Sequence, residues 1–169
     1  RWVMQDWGRI SWLFSVWFTD QNKGWAVGDH NLLFHTTDGG LHWNIEQLGQ
    51  YPNDLRFIFF LNENYGWIAG HNEIFNTSNG GQDWISIPGI SVRKLFFVSE
   101  NVGWNIGSSG LISKTTDGGV TWEEQLNTGF DNFYSIKFID EQHGWVIGSF
   151  GRIFYTNNSG ESWRSLEIN

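Results

Sequence analysis

The sequence predicts an all-β fold built from successive four-stranded antiparallel blades of a β-propeller, and three observations carry that reading. Gly-Trp pairs stand at Gly24-Trp25, Gly66-Trp67, Gly103-Trp104 and Gly144-Trp145, spaced 42, 37 and 41 residues apart. A second marker, Thr36-Thr37-Asp38-Gly39-Gly40-Leu41-His42-Trp43, returns as Thr77 to Trp84, Thr115 to Trp122 and Thr156 to Trp163, its closing tryptophans 41, 38 and 41 residues apart. Between the markers lie short strand-like segments bounded by Gly, Asn, Asp and Ser, the chemistry of turns. Self-similarity at about 40 residues, with four short strands per period, describes a propeller blade.

The second repeat sets out the elements most clearly. Its strands are read as Leu55 to Leu61, Gly66 to Gly70, Glu73 to Thr77 and Trp84 to Ile87. Blades then span about 11–49, 50–89, 90–128 and 129–169 in one array over 1–169. A step of 41 back from Trp43 lands on Trp2, so residues 1–10 read as the last strand of a preceding blade. Trp163 to Ile168 reads as the same strand of the last blade, which points to an excerpt of a larger propeller. Closure by a second copy is the alternative, because open arrays leave edges that invite self-association. A sandwich would need no tandem identity, and helical solenoids lack this strand pattern.

Composition agrees: 18% aromatic residues with 12 Trp and 21 Gly, against 2 Pro, suits short strands joined by glycine turns. A net charge of −8 argues against a nucleic-acid partner, which needs a dense basic face. The longest apolar run, around Phe57 to Leu61, is far below the roughly 20 residues of a membrane-spanning helix. No cysteine is present, so a disulfide framework and thiolate zinc are excluded. The chain opens on Arg1 without a leader and is expected to be a processed product or a fragment.

The box of hydroxyl residue, any residue, Asp, any residue, Gly, two more and Trp resembles the Asp-box, or bacterial neuraminidase repeat. With Gly-Trp-x-x-Gly ahead of every copy, the pattern resembles the propeller of the photosystem II stability and assembly factor family and its secreted bacterial relatives. That resemblance implies a non-catalytic scaffold, a protein partner, an arginine-rich patch, a typically seven-bladed ring and a secreted, periplasmic or lumenal location. Asn79 and Asn158 replace the aspartate and Ser159 replaces a glycine, departures that weaken any charge or metal role and leave the turn role intact.

The box residues are therefore read as structural: Thr36, Asp38, Gly40 and Trp43; Thr77, Asn79, Gly81 and Trp84; Thr115, Asp117, Gly119 and Trp122; Thr156, Asn158, Gly160 and Trp163. The short carboxylate or amide accepts backbone N–H groups of its own turn, and glycine permits positive φ. A motif in every blade is a poor catalytic site, since a catalytic site occurs once. Trp25, Trp67, Trp104 and Trp145 are read as core, while Trp7, Trp12 and Trp17 fall outside the markers.

In such a blade the boxes share one face, and ligands are sought on the other, where variable loops join the last strand to the next blade and the second strand to the third. Candidate binding residues there are Tyr51, Asp54, Arg56, His71, Arg93, Tyr134, Phe150 and Arg152. Phe14, Arg56, Arg93 and Tyr134 align at the start of the first strand, and two arginines at equivalent places suit carboxylates or an acidic partner. The alternative is that Arg56 and Arg93 simply pair with Asp54 or neighbouring carboxylates at the rim and stay solvated.

Carbohydrate binding and a sialidase-like glycoside hydrolase fragment are the rival functions. Arg56, Arg93 and Arg152 with Tyr51 or Tyr134 supply the pieces of a sialidase site, and Asp54 with Asp131 is the one positional pair for two-carboxyl glycoside hydrolysis. Nucleophile elbows, phosphate loops and His-Glu-x-x-His are absent, so no metal and no cofactor are expected, although His30 and His35 approach across a hairpin.

Overall fold

The computed structural model describes residues 12–49, 53–90, 92–129 and 132–166. These form four four-stranded sheets, each an antiparallel meander in chain order. The first blade holds β1 (Leu13–Phe18), β2 (Gly24–Gly28), β3 (Leu32–Thr36) and β4 (Asn44–Gln47), and the second β5 (Leu55–Phe60), β6 (Gly66–Gly70), β7 (Glu73–Thr77) and β8 (Ile85–Pro88). The third holds β9 (Lys94–Phe97), β10 (Gly103–Ile106), β11 (Leu111–Thr115) and β12 (Glu123–Asn127). The fourth holds β13 (Phe133–Phe138), β14 (Gly144–Gly148), β15 (Ile153–Thr156) and β16 (Arg164–Leu166). Residues 1–10, expected as a strand of a preceding blade, lie outside the described residues, and among those described no helix is long and apolar enough to cross a membrane.

The middle strands of the second blade run as the sequence predicts. Its first strand stops at Phe60 and its last begins at Ile85, because Trp84 still belongs to the box turn. The second strand of the first two blades is buried along its whole length, as a sheet covered on both faces requires. The outermost strands β4 and β16 are short, exposed throughout and mostly polar, which blunts the sheet edge against stray pairing.

Successive blades meet through a repeated aromatic joint. Trp25 stacks on Phe60 at 4.1 Å, Trp67 on Phe97 at 3.7 Å and Trp104 on Phe138 at 3.6 Å between ring centroids. Each phenylalanine ends the innermost strand of the next blade and also takes the edge of its own box tryptophan, as in Phe97 against Trp122 at 77°. On its other side lies its cross-strand glycine, for Phe97 pairs with Gly103 and a Cβ there would meet the ring at 2.5 Å. The Gly-Trp pair therefore does two jobs: glycine makes room for the ring of its own blade, and tryptophan reaches the next.

The indoles are also anchored by hydrogen bonds. Trp67 Nε1 donates to the Gly118 carbonyl at 2.9 Å and Trp104 Nε1 to the Ser159 carbonyl at 3.3 Å, both in the following blade's box. Aliphatic side chains complete each joint, such as Val27 and Leu33 against Leu55, Ile58 and Ile68. Trp145, expected in the core like its three counterparts, is only half-buried because no described blade follows it. Trp17, which lies outside the markers, packs against the first and second joints with its ring 5.2 Å from Phe59.

Candidate functional site

The box face is occupied by its own structure. Thr115 Oγ1 donates to Asp117 Oδ1 at 2.8 Å and accepts Gly119 N–H at 2.9 Å, while the carboxylate accepts Thr121 N–H at 2.9 Å. Asn79 and Asn158 accept the equivalent N–H groups at 3.0 and 3.1 Å, so the amide serves the turn as the carboxylate does. Asp38 is lowered to about 2, chiefly by the backbone N–H of His42 and then by its side chain. The neighbouring turns are tied in as well, for Asp20 Oδ1 accepts Asn22 and Lys23 N–H, and Gly39 N–H donates to the Asn22 carbonyl at 2.8 Å. Asp20 and Asp140 cap these turns and are held below the usual carboxylate range by the hydrogen bonds.

The opposite face is displayed by β-bulges. On β5, Leu55 pairs with Gly70 and Phe57 with Ala69, which leaves Arg56 outside the ladder. Phe14 on β1 and Tyr134 on β13 are unpaired in the same way, and Arg93 holds the matching place before β9 with its N–H on the Ile106 carbonyl at 2.8 Å. A bulge re-aims the extra side chain, here onto the rim of the innermost strands. The result is a row of Phe14, Arg56, Arg93 and Tyr134, one residue per blade.

Three members of that row share a cavity of about 360 Å³ with His71, Lys94 and Ser108. Arg56 Nη2 lies 2.9 Å from Asp54 Oδ2, and its guanidinium lies 5.8 Å from the Phe14 ring. Lys94 Nζ lies 5.6 Å from the Phe57 ring. The Arg93 side chain has no ion pair among the described residues and is exposed. The cavity thus gathers three cations in a chain of net charge −8, one of them already balanced by Asp54.

Of the sequence-predicted residues, Arg56, Arg93, His71 and Tyr134 line one cavity, and Asp54 joins through Arg56. Phe150 and Arg152 do not line it; they belong to the β14–β15 turn, where Phe150 is 89% exposed with φ 59. Its neighbour Gly151 and the matching pairs His30-Asn31 and Ser109-Gly110 also have positive φ, so the last two residues of each of these turns are left-handed. Tyr51 and Asp131 lie outside the described residues. His30 Nδ1 faces Asp29 at 3.3 Å and His35 Nδ1 faces Glu46 at 3.2 Å, so the two histidines pair with separate carboxylates. Lys94, which the repeat frame places near the arginines, and Ser108, in a variable turn, also line the cavity although neither is among the candidate binding residues, because their proximity depends on packing between blades.

Four meander sheets joined by Gly-Trp aromatic joints and turned by Asp-boxes define a β-propeller of the bacterial neuraminidase repeat class. The family model described as photosynthesis system II assembly factor YCF48 matches residues 1–94 and 90–169, and the chain belongs to that family. Photosystem II assembly lipoprotein Ycf48 of Synechococcus sp. (strain CC9902) is 32% identical over 123 residues, covering 66% of this chain and 36% of that protein. The chain thus spans about a third of that relative's length. A solved structure described as YCF48 bound to D1 peptide matches with a TM-score of 0.63 at 16% identity, over 92% of this chain and 82% of that one. An ancestral GH74 enzyme matches with a TM-score of 0.74 at 16% identity, over 92% of this chain and 24% of the enzyme. At these identities the two structures establish the shared fold alone.

Proposed function

We propose that this chain is a non-catalytic assembly module that holds an acidic or carboxylate-bearing peptide segment of a protein partner in the rim cavity of Arg56, Arg93, Lys94, His71 and Tyr134. The observation that carries this is the convergence of bulge-displayed Arg56 and its repeat equivalent Arg93 on one cavity in an otherwise acidic chain. Arginine's planar fork suits a carboxylate, and Tyr134 offers an amphipathic wall beside it. Membership of the assembly-factor family supports the reading, as does the peptide-bound relative. The lipoprotein description of the Synechococcus relative supports an exported, lumenal or periplasmic setting.

The test is fluorescence anisotropy of a labelled D1 peptide against the chain. Saturable binding that Arg56→Glu plus Arg93→Glu removes is expected. Binding indifferent to both substitutions would overturn the proposal.

A second reading, carbohydrate binding, rests on Trp12 and Phe150, which are 69% and 89% exposed and offer flat faces to a sugar ring. Retention on an immobilised polysaccharide, lost in Trp12→Ala, is its signature. In the glycoside hydrolase reading Asp54 is a required acid, but its carboxylate is already engaged by Arg56 at 2.9 Å.

A further inference from the structure

The joint between the second and third blades differs from its two neighbours at one cross-strand pair. On the face that each blade turns to the one before it, the second and third strands pair Ile68 with Phe75 in the second blade and Val146 with Phe154 in the fourth. Both pairs are buried, the first with Trp25, Val27 and Leu33 and the second with Trp104, Ile106 and Ile112. In the third blade the same two places hold Asn105 and Ser113, paired directly between β10 and β11. They are 2% and 5% exposed, as deep as the apolar pairs whose places they take.

The opposing wall offers them nothing polar. Trp67, Ala69 and Ile74 of the second blade occupy the places of Trp25, Val27 and Leu33, and Ala69 stands where the other joints have Val27 and Ile106. Serine in place of phenylalanine, opposite alanine in place of a branched side chain, leaves this part of the joint short of carbon atoms. Asn105 Oδ1 is buried there without a hydrogen-bond partner among the described residues. The ladder beside Ser113 is interrupted as well: Ile112 pairs with Leu126 and Ser113 with Glu124, which leaves Gln125 bulged, while the outer ladders of the other three blades run without a shift.

We propose that Asn105 and Ser113 hold one buried water molecule between the second and third blades. A buried amide oxygen is costly when unmatched, and polar interior sites with room are filled by ordered water that makes about two to four hydrogen bonds. Side chains directly opposite on an antiparallel pair lie about 4.5–5.5 Å apart at Cβ, a separation that one water spans with two ordinary hydrogen bonds. The water donates one hydrogen to Asn105 Oδ1 and accepts the Ser113 hydroxyl. Apolar contact seals the first and third joints, whereas the second adds a solvent molecule as part of its packing.

A crystal structure of the protein at a resolution that shows ordered solvent tests this. A solvent peak about 2.7–3.2 Å from Asn105 Oδ1, with the Ser113 hydroxyl as its second partner, is expected. Asn105→Val combined with Ser113→Ala should lose that peak while Trp67 stays stacked on Phe97. In solution the two single variants and the double variant form a cycle read by melting temperature. The double variant should melt no lower than the less stable single, because each single strands the partner that shared the water. No peak at Asn105 Oδ1, a direct protein partner for that oxygen, a peak that survives the double variant, or strictly additive effects of the two singles would overturn the proposal.

Discussion

Trp67 lies flat on Phe97, ring centroids 3.7 Å apart and planes within 7°, while its Nε1 holds the Gly118 carbonyl of the next blade at 2.9 Å. One fully buried side chain therefore carries both apolar and polar contact between the second and third blades. Trp67→Ala should cost about 3–5 kcal/mol, the range for deleting a large buried aromatic. Urea denaturation followed by tryptophan fluorescence and circular dichroism checks it, and a split between the two probes would show the blades melting separately.

The glycine beneath the ring makes a sharper prediction. A Cβ at Gly103 would lie 2.5 Å from Phe97, a side chain held between Trp67 and its own strand. Gly103→Ala should destabilise by about 1–3 kcal/mol through overpacking. Combining it with Phe97→Leu should recover part of that loss, measured as the urea midpoint of the double variant against the singles.

Within the boxes, hydroxyl and acid should separate. Thr115 is buried, and its removal leaves the Gly119 N–H without the oxygen 2.9 Å away, so Thr115→Ala should cost about 1–3 kcal/mol. Asp117→Asn should leave the melting temperature nearly unchanged, because Asn79 and Asn158 already make the same turn bonds.

Acid should loosen the box face. Asp38 is lowered to about 2 by the His42 backbone N–H and side chain, and Asp20 and Asp140 are lowered by their turn N–H groups. A folded value below the unfolded one stabilises the fold above the unfolded value of about 4, and that contribution disappears as pH falls toward 2. Melting temperature should decline across this window, and Asp38→Asn should flatten the decline. An identical profile in the variant would contradict the assignment.

Peptide binding at the rim should weaken with salt, since its arginines are exposed and screened. Arg93→Ala should weaken it more than Arg56→Ala, because Arg56 is already partnered by Asp54. Anisotropy titrations at two ionic strengths give both comparisons.

Blade number, strand order and the two repeated markers were legible because each copy repeats the same turn and aromatic code. The binding row was legible only in part. Alignment placed Phe14, Arg56, Arg93 and Tyr134 at one position, but the bulge that lifts Phe14, Arg56 and Tyr134 from the ladder has no residue signature in a single sequence. Trp17 escaped assignment because it packs against two joints at once, a relation between blades that no single repeat records. The half-exposed Trp145 carries the same residue code as its buried counterparts, so its difference comes from its neighbours alone.

Because the bulged residue takes no part in strand pairing, the first, second and fourth blades each carry one position whose identity is decoupled from folding, and Arg93 holds the equivalent place before β9. Phe, Arg, Arg and Tyr stand at these places, and rewriting them would change the chemistry of the rim while the sheets beneath stay as they are.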